Sequence, residues 1–287
     1  MDILIGGFLL GGTDALMALG LQLQYGVARI MNLANGEMLV AGAFGAFWFY
    51  SGFQMRPFLA IVLIVPLAFV VNWAIYHYLL TPLVRRAESR GQLEVDGILA
   101  TFGMSFILVG LMLAVFGGEY FSYSYLERAV FVLEQPYGLN RIAAFCASLV
   151  FCIALVVWLS HTRSGLALRA VAVNPTAAGL VAIKVARTSA IAFAIGGAVT
   201  ASGGALLSMF LTFDASIGVI FTLKALIIVI LGGVGEIRGT VAAAFLLGLA
   251  ETAVASLVDP GLTLAAAYLL FIVVLLVRPR GLFGSRS

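Results

Sequence analysis

"RSGLALRAVAVNPTAAGLVAIKVART", residues 163–188, is the longest polar interruption in a chain whose remainder is strongly apolar. It carries Arg163, Arg169, Lys184 and Arg187 and breaks at Asn174-Pro175. That makes it too polar to cross a bilayer and too apolar to be a mere tether. On both sides of it, apolar runs recur at close to the ~20 residues that cross hydrocarbon. Of the 287 residues 63% are hydrophobic and 10% charged, well under the roughly 25% charged residues of soluble domains. Composition therefore excludes a soluble enzyme and predicts an all-α polytopic membrane protein.

Nine apolar runs are read as spans, at 3–23, 36–53, 57–80, 96–116, 142–159, 189–209, 217–231, 240–257 and 262–277, the seventh being short. The expected fold is a bundle of about 8–9 transmembrane helices, with one broken or re-entrant segment and a cytoplasmic helix. It forms a single transmembrane domain over residues 1–287 and leaves no length for a soluble catalytic domain. The first run has neither a basic stretch before it nor a small-residue cleavage site after it, so it is expected to be retained as a span.

Loop charges orient the bundle, because cytoplasmic loops carry the excess of Lys and Arg. With the N-terminus outside, Arg29, Arg85, Arg86, Arg90, Arg163, Arg169, Lys184, Arg187, Arg238, Arg278, Arg280 and Arg286 fall inside. Only Arg56, Arg128 and Arg141 fall outside, and Lys224 lies within a span. Residues 163–188 are then the longest cytoplasmic loop. The net charge of +3 reports topology, and no nucleic-acid partner is expected. The longest outer segment, "GGEYFSYSYLERAVFVLEQPYGLN", is rich in aromatic residues, as expected at the headgroup level or under an external partner. Cys146 and Cys152 are read as small buried residues.

Charges inside spans are costly and mark pathway or partner residues. Asp14, Glu37 and Glu251 each lie on a small-residue side of a helix, Asp14 following Gly7 and Gly11. The small-residue faces around Gly7, Gly11 and Gly45 are the expected surface for pairing with a second subunit. In "YGVARIMNLANGEMLVAG", Asn32, Asn35, Gly36 and Glu37 interrupt hydrophobicity directly after a full span. Irregular backbone at membrane depth is tolerated only against protein or a watery cavity, so Asn32, Asn35, Gly36, Glu37 and Asp14 are expected to line a translocation path. Lys224 is left open between snorkelling outward and an internal pair. In "LGGVGEIRGTVAAAF", Gly232, Gly233, Gly235 and Gly239 are read as a tight turn with close helix contact. No catalytic constellation or metal-ligand spacing is present: His77 and His161 stand alone, and no nucleophile has a base in sequence reach.

Three stretches together resemble one family, the permease subunits of ATP-driven importers for branched-chain amino acids. They are "YGVARIMNLANGEMLVAGAF", "SGLALRAVAVNPTAAGLVAIKVARTSAIAFAIGGA" and "LKALIIVILGGVGEIRGTVAAAFLLGLAE", closed by "RPRGLFG". The length resembles the shorter of the two permeases of such systems. The sequence departs from the family's usual residues at Asn35, commonly His, Ala182, commonly Gly, Glu236, commonly a small hydroxyl residue, and Arg238, commonly Pro.

The resemblance implies a non-catalytic inner-membrane subunit with no cofactor of its own. Its implied partners are a second permease, a paralogue by expectation, two ATP-binding ATPase subunits, an external substrate-binding protein and membrane lipid. It also implies that a short cytoplasmic helix docks on the ATPase. Asn174 and Pro175 suit the start of such a helix, Ala177, Ala178, Leu180 and Val181 would supply its contact, and Arg169 would flank it. The same framework also serves urea, short amides and aromatic acids. From another class, an ion-coupled secondary transporter or channel would use Asp14, Glu37 and Glu251 as a relay.

Overall fold

The computed structural model describes residues 2–132, 135–278 and 281–283. Arg280 and Arg286, counted above among the inner charges, lie outside the described residues, as do parts of the outer aromatic segment and of "RPRGLFG".

Twelve α-helices follow one another among the described residues: α1 (Asp2–Ala28), α2 (Asn35–Phe53), α3 (Pro57–Ile75), α4 (Thr81–Arg86), α5 (Arg90–Phe116), α6 (Leu139–His161), α7 (Arg163–Val173), α8 (Pro175–Leu180), α9 (Val185–Leu207), α10 (Gly218–Gly232), α11 (Ile237–Leu257) and α12 (Thr263–Val277). A π-helical turn, Tyr76–Leu80, joins α3 to α4. Both the backbone N–H and the hydroxyl of Thr81 donate to Tyr76 O. This wider turn accommodates Pro82, which has no N–H to give to the helix. The third span thus runs on past its expected end at residue 80.

Among the described residues seven helices are long and apolar enough to cross a membrane, against the nine runs read from the sequence. The two exceptions are α2, whose 19 residues open on the polar Asn35 and Glu37, and α10, which is apolar but short. Each starts deep in the bundle after the chain has folded back on itself. After α1 ends at Ala28, residues 29–34 climb back until Asn35 donates to Met17 O, eleven residues up α1, or roughly 16 Å at 1.5 Å per residue. After α9, residues 208–217 return in the same way until Gly218 lies against Gly36 and Glu37. The 15 residues of α10 span about 22 Å, short of a ~30 Å hydrocarbon core.

α1 and α9 are the buried axis. They run antiparallel, Met17 beside Gly203 and Gln24 beside Gly196, and cross where Gly20 and Gly196 meet backbone to backbone. α11 lies along α1, with Gly248 against Gly7 and Gly11. Around this axis α3, α5, α6 and α12 turn large apolar side chains outward, among them Val62, Ile107, Val150 and Leu276, as a lipid-facing ring requires. Two sequence expectations are corrected here. Gly7 and Gly11 are occupied by α11 and Gly45 faces Ile64 of α3, so these small-residue faces close the chain on itself and are not free to pair subunits. Cys146 is exposed, and only Cys152 is buried. The all-α architecture holds, with one small addition: part of the outer segment forms an antiparallel hairpin of β1 (Ala129–Val132) and β2 (Gln135–Gly138).

That outer segment folds down onto the bundle. Phe121 and Phe213 pair through their backbones, and Phe44 stacks on Phe116 at 4.1 Å and meets Phe213 edge-on at 5.1 Å. Tyr50 Oη donates to Ser124 O, Tyr123 Oη shares a 2.9 Å hydrogen bond with Ser208, and Asn140 donates to Met209 O. Burial pushes the Tyr123 phenol up to about 12, against the lowering effect of Ser208, so it remains a neutral donor at physiological pH.

Candidate translocation pathway and coupling surface

The N-termini of α2 and α10 meet inside the bundle, and a Cβ on Gly36 would land on Gly218 O. Two helix starts bring unsatisfied N–H groups and two positive dipole ends to one place. The surrounding polar side chains answer both. Thr222 accepts from Gly36 N at 2.8 Å, Asn32 Oδ1 from Ala34 N at 3.0 Å and Thr101 Oγ1 from Leu33 N at 3.1 Å. Asn32 also donates to Gln24 Oε1 at 2.9 Å, and Asn35 donates to Met17 O while accepting from Thr200. Glu37, in the first turn of α2, sets its carboxylate against this positive end. Ser105 donates to Glu37 Oε1 at 2.8 Å, and Glu37 Oε2 is buried with no hydrogen-bond partner among the described residues.

Asn32, Asn35, Gly36 and Glu37, singled out in the sequence, are therefore brought together and are all buried. Their partners Gln24, Thr101, Ser105, Thr200 and Thr222 were not singled out. A lone hydroxyl or amide in an apolar run carries no signal of its own, since its partner is distant in sequence.

Asp14 does not join this group. It is fully buried on α1, its carboxylate without a hydrogen-bond partner among the described residues. Its electrostatic neighbour is Lys224 of α10, which interacts with both Asp14 and Glu251 of α11. Lys224 Nζ and Glu251 Oε2 form an ion pair at 2.6 Å with little exposure on either side, so the open question about Lys224 resolves to an internal pair. Glu251 Oε1 has no hydrogen-bond partner among the described residues.

The Gly-rich stretch forms the tight turn between α10 and α11 that the sequence suggested. Gly233 and Gly235 have φ of 101° and 89°, which only glycine adopts at little cost. Gly232 and Gly239 touch through their backbones, and Gln22 of α1 donates to Gly233 O.

At the cytoplasmic end, Thr162 accepts from Gly165 N to start α7, and Asn174 accepts from Ala177 N at 3.0 Å with Pro175 at the first position of α8. Both are side-chain N-caps. Arg169 donates to Ser160 O, and Arg29, at the foot of α1, donates to Ala172 O at 2.6 Å, so α7 is tied to α6 and to α1. Val173, Leu180 and Val181 are 83%, 86% and 70% exposed, an apolar tip that projects from the bundle, with Asn174 and Ala177 also exposed. Ala178 corrects the sequence reading. It turns inward at 3% exposure and packs in the core, so it is not part of an outward contact surface.

Residues 3–277 match the family described as the permease component of branched-chain amino acid transport systems. The chain is 26% identical to the high-affinity branched-chain amino acid transport system permease protein LivH of Escherichia coli, covering 98% of this chain and 94% of that protein. It is 27% identical to the permease protein BraD of Pseudomonas aeruginosa with the same coverage. It is also 26% identical to a probable LivH of Methanocaldococcus jannaschii, over 98% of this chain and 92% of that protein. A match along nearly the whole length, joined to a bundle of membrane-crossing helices, shows that the chain belongs to the family of branched-chain amino acid transport permeases.

Proposed function

We propose that this chain is the membrane-embedded subunit of an ATP-driven importer that carries branched-chain amino acids across the cytoplasmic membrane. In this reading a second permease completes the path, two ATPase subunits bind and hydrolyse ATP, and an external binding protein delivers the substrate to the outer loops. The observation that carries the reading is the exposed apolar tip of Val173, Leu180 and Val181 on a segment tied to the rest of the bundle at Arg29 and Arg169. An apolar surface held rigidly outside the membrane region fits a protein partner. Force applied there passes directly into α9, whose far end re-enters to form α10. Asn32, Asn35 and Glu37 brace the facing half-helices that this motion would separate or close.

The test is to replace Leu180 and Val181 together by Asp. In the reconstituted complex these variants should insert normally, lose captured ATPase and lose ATP-driven leucine uptake. A single desolvated hot-spot residue is worth about 2 kcal/mol or more. Arg86→Ala, an exposed change in another cytoplasmic segment, serves as the control. Equal ATPase capture by both would sink the coupling assignment. Leucine uptake by the isolated chain under an ion gradient, without ATPase subunits, would instead favour the ion-coupled reading.

A further inference from the structure

A cleft of about 380 Å³ opens between α1, α11, the start of α6 and the segment after α9, at the end that the loop charges place outside. Its size lies within the roughly 300–1,000 Å³ typical of small-molecule sites. Its walls are apolar, with Leu9 and Leu10 of α1 on one side and Phe210 on another, and Glu251 and Arg141 both line it. Glu251 is 2% exposed, one oxygen held by Lys224 and the other without a partner among the described residues. The Arg141 guanidinium lies 5.8 Å over the Phe210 ring, which orients it without using its hydrogen-bond donors.

A carboxylate with a free oxygen, a guanidinium and an apolar wall in one cleft are the three groups that an apolar α-amino acid needs. Hydrogen bonding points the same way. Lys224 occupies only Oε2 of Glu251, and Oε1 is left buried without a donor among the described residues, which is costly in such surroundings. An ammonium group supplies the donor.

We propose that this cleft binds one small α-amino acid as its zwitterion. Glu251 Oε1 accepts from the ammonium group, Arg141 donates to the carboxylate through its paired N–H groups, and Leu9, Leu10 and Phe210 cover the side chain. Lys224 is a positioning residue that holds the other oxygen of Glu251. The assignment rests on the reading of the chain as an amino acid importer, and it places a binding site within one permease chain.

The experiment uses the whole transporter in nanodiscs free of phosphatidylethanolamine, whose headgroup carries the same pair of charges. Cys146 and Cys152 are replaced by Ser and Ala, and Thr252→Cys on the cleft wall reports occupancy by its rate of maleimide labelling. Leucine should slow labelling, while isopentylamine and 4-methylpentanoate, each with one of the two charges, should need concentrations about tenfold or more higher, as expected for loss of one charged hydrogen bond. Arg141→Gln should erase the preference for leucine over isopentylamine. Glu251→Gln, which leaves Lys224 beside Asp14, should erase its preference over 4-methylpentanoate. A purely structural role would lower yield and leave the ranking of the three probes unchanged, and that result overturns the proposal. Unprotected labelling in a complex that still imports leucine overturns the site and leaves the import reading standing. Protection in a complex that does not import leucine supports the site while the import reading fails. Protection by phosphatidylethanolamine, with no further effect of leucine, assigns the cleft to lipid and overturns the proposal.

Discussion

The pair α1–α2 and the pair α9–α10 follow the same path, a long buried helix, a return into the bundle and a shorter helix that starts against its counterpart. Their chemistry differs. The first return is loaded with Asn32, Asn35 and Glu37, which satisfy its own backbone and its neighbours. The second arrives with Gly218 and Thr222, and Thr222 serves the first unit, accepting from Gly36 N and donating to Leu33 O. One unit therefore carries the polar scaffold and the other closes on it through bare backbone. The second continues directly from the exposed cytoplasmic tip into α9, whereas the first meets that segment from the side, where Arg29 donates to Ala172 O. In the importer proposed above, this difference casts the first unit as frame and the second as moving part.

The largest effect should come from the contact itself. In Gly36→Ala the new Cβ overlaps the Gly218 carbonyl and neither backbone can yield, so the two helix starts must part. Overpacking of this kind costs about 3 kcal/mol or more when backbone is the obstacle. At Gly218 the nearest atom to an added Cβ is Glu37 N at 3.0 Å, and Gly218→Ala should cost about 1 kcal/mol. Thermal unfolding of the purified variants reads the difference. Equal losses would mean that the two units do not meet as closely as the geometry requires.

Charge is the next distinction. Lys224→Met on α10 removes the cation paired with Glu251 and nearest Asp14, and stranding a buried partner costs about 3 kcal/mol. Glu37→Gln on α2 keeps an oxygen for Ser105 and should cost under about 1 kcal/mol, yet reduce uptake because the facing helix ends lose their counter-charge. Expression with unfolding midpoints gives the first quantity, and ATP-driven uptake the second. If Glu37→Gln transports normally, Glu37 is only a brace for α5.

The two units also differ in how much of them is legible in the sequence. The return before α2 is readable because polar side chains at lipid depth stand out against apolar neighbours. The return before α10 reads as the start of an ordinary, if short, span, since Gly218 and Thr222 resemble any small residues in a membrane helix. Asp14 and Glu251 are visible as charges, but their common partner Lys224 is not assignable, because helix spacing does not tell which of nine apolar runs lies alongside. The caps of α8 are readable from Asn174-Pro175. The inward turn of Ala178 is not, since a six-residue helix offers too few residues to define a buried face.

That inward turn yields the third test. Ala178→Asp buries an unpaired charge and should lower stability by about 2 kcal/mol, with ATPase capture falling only as folded protein is lost. Leu180→Asp changes an exposed position and should leave the unfolding midpoint within about 0.5 kcal/mol of wild type, while capture falls per folded molecule. If the two variants behave alike in unfolding, the second unit's cytoplasmic lead-in is not packed as described.

The smallest effect concerns the cytoplasmic junctions of the two units, each of which places a non-glycine residue in the left-handed region, Arg29 at φ 57° after α1 and Ala182 at φ 62° before α9. A side chain there costs about 1 kcal/mol, and the junctions differ in what that side chain returns. Ala182 is exposed, and its role is backbone alone, its N–H donating to Gly179 O while Ile183 N donates to Ala178 O to close α8. Ala182→Gly should therefore relieve strain and raise stability by about 0.5 kcal/mol, part of the gain being offset by the greater freedom of glycine in the unfolded chain. Arg29 instead uses its side chain to hold Ala172 O at 2.6 Å, tying the frame to the cytoplasmic segment. In Arg29→Gly the loss of a charged hydrogen bond, about 1.5 kcal/mol or more at full strength and less at this exposed site, should cancel the relief. A rise in midpoint for Ala182→Gly with none for Arg29→Gly would show that the first unit keeps its strained junction because it anchors the second unit's lever. A rise in both would reduce Arg29 to a solvated surface residue and leave the two junctions equivalent.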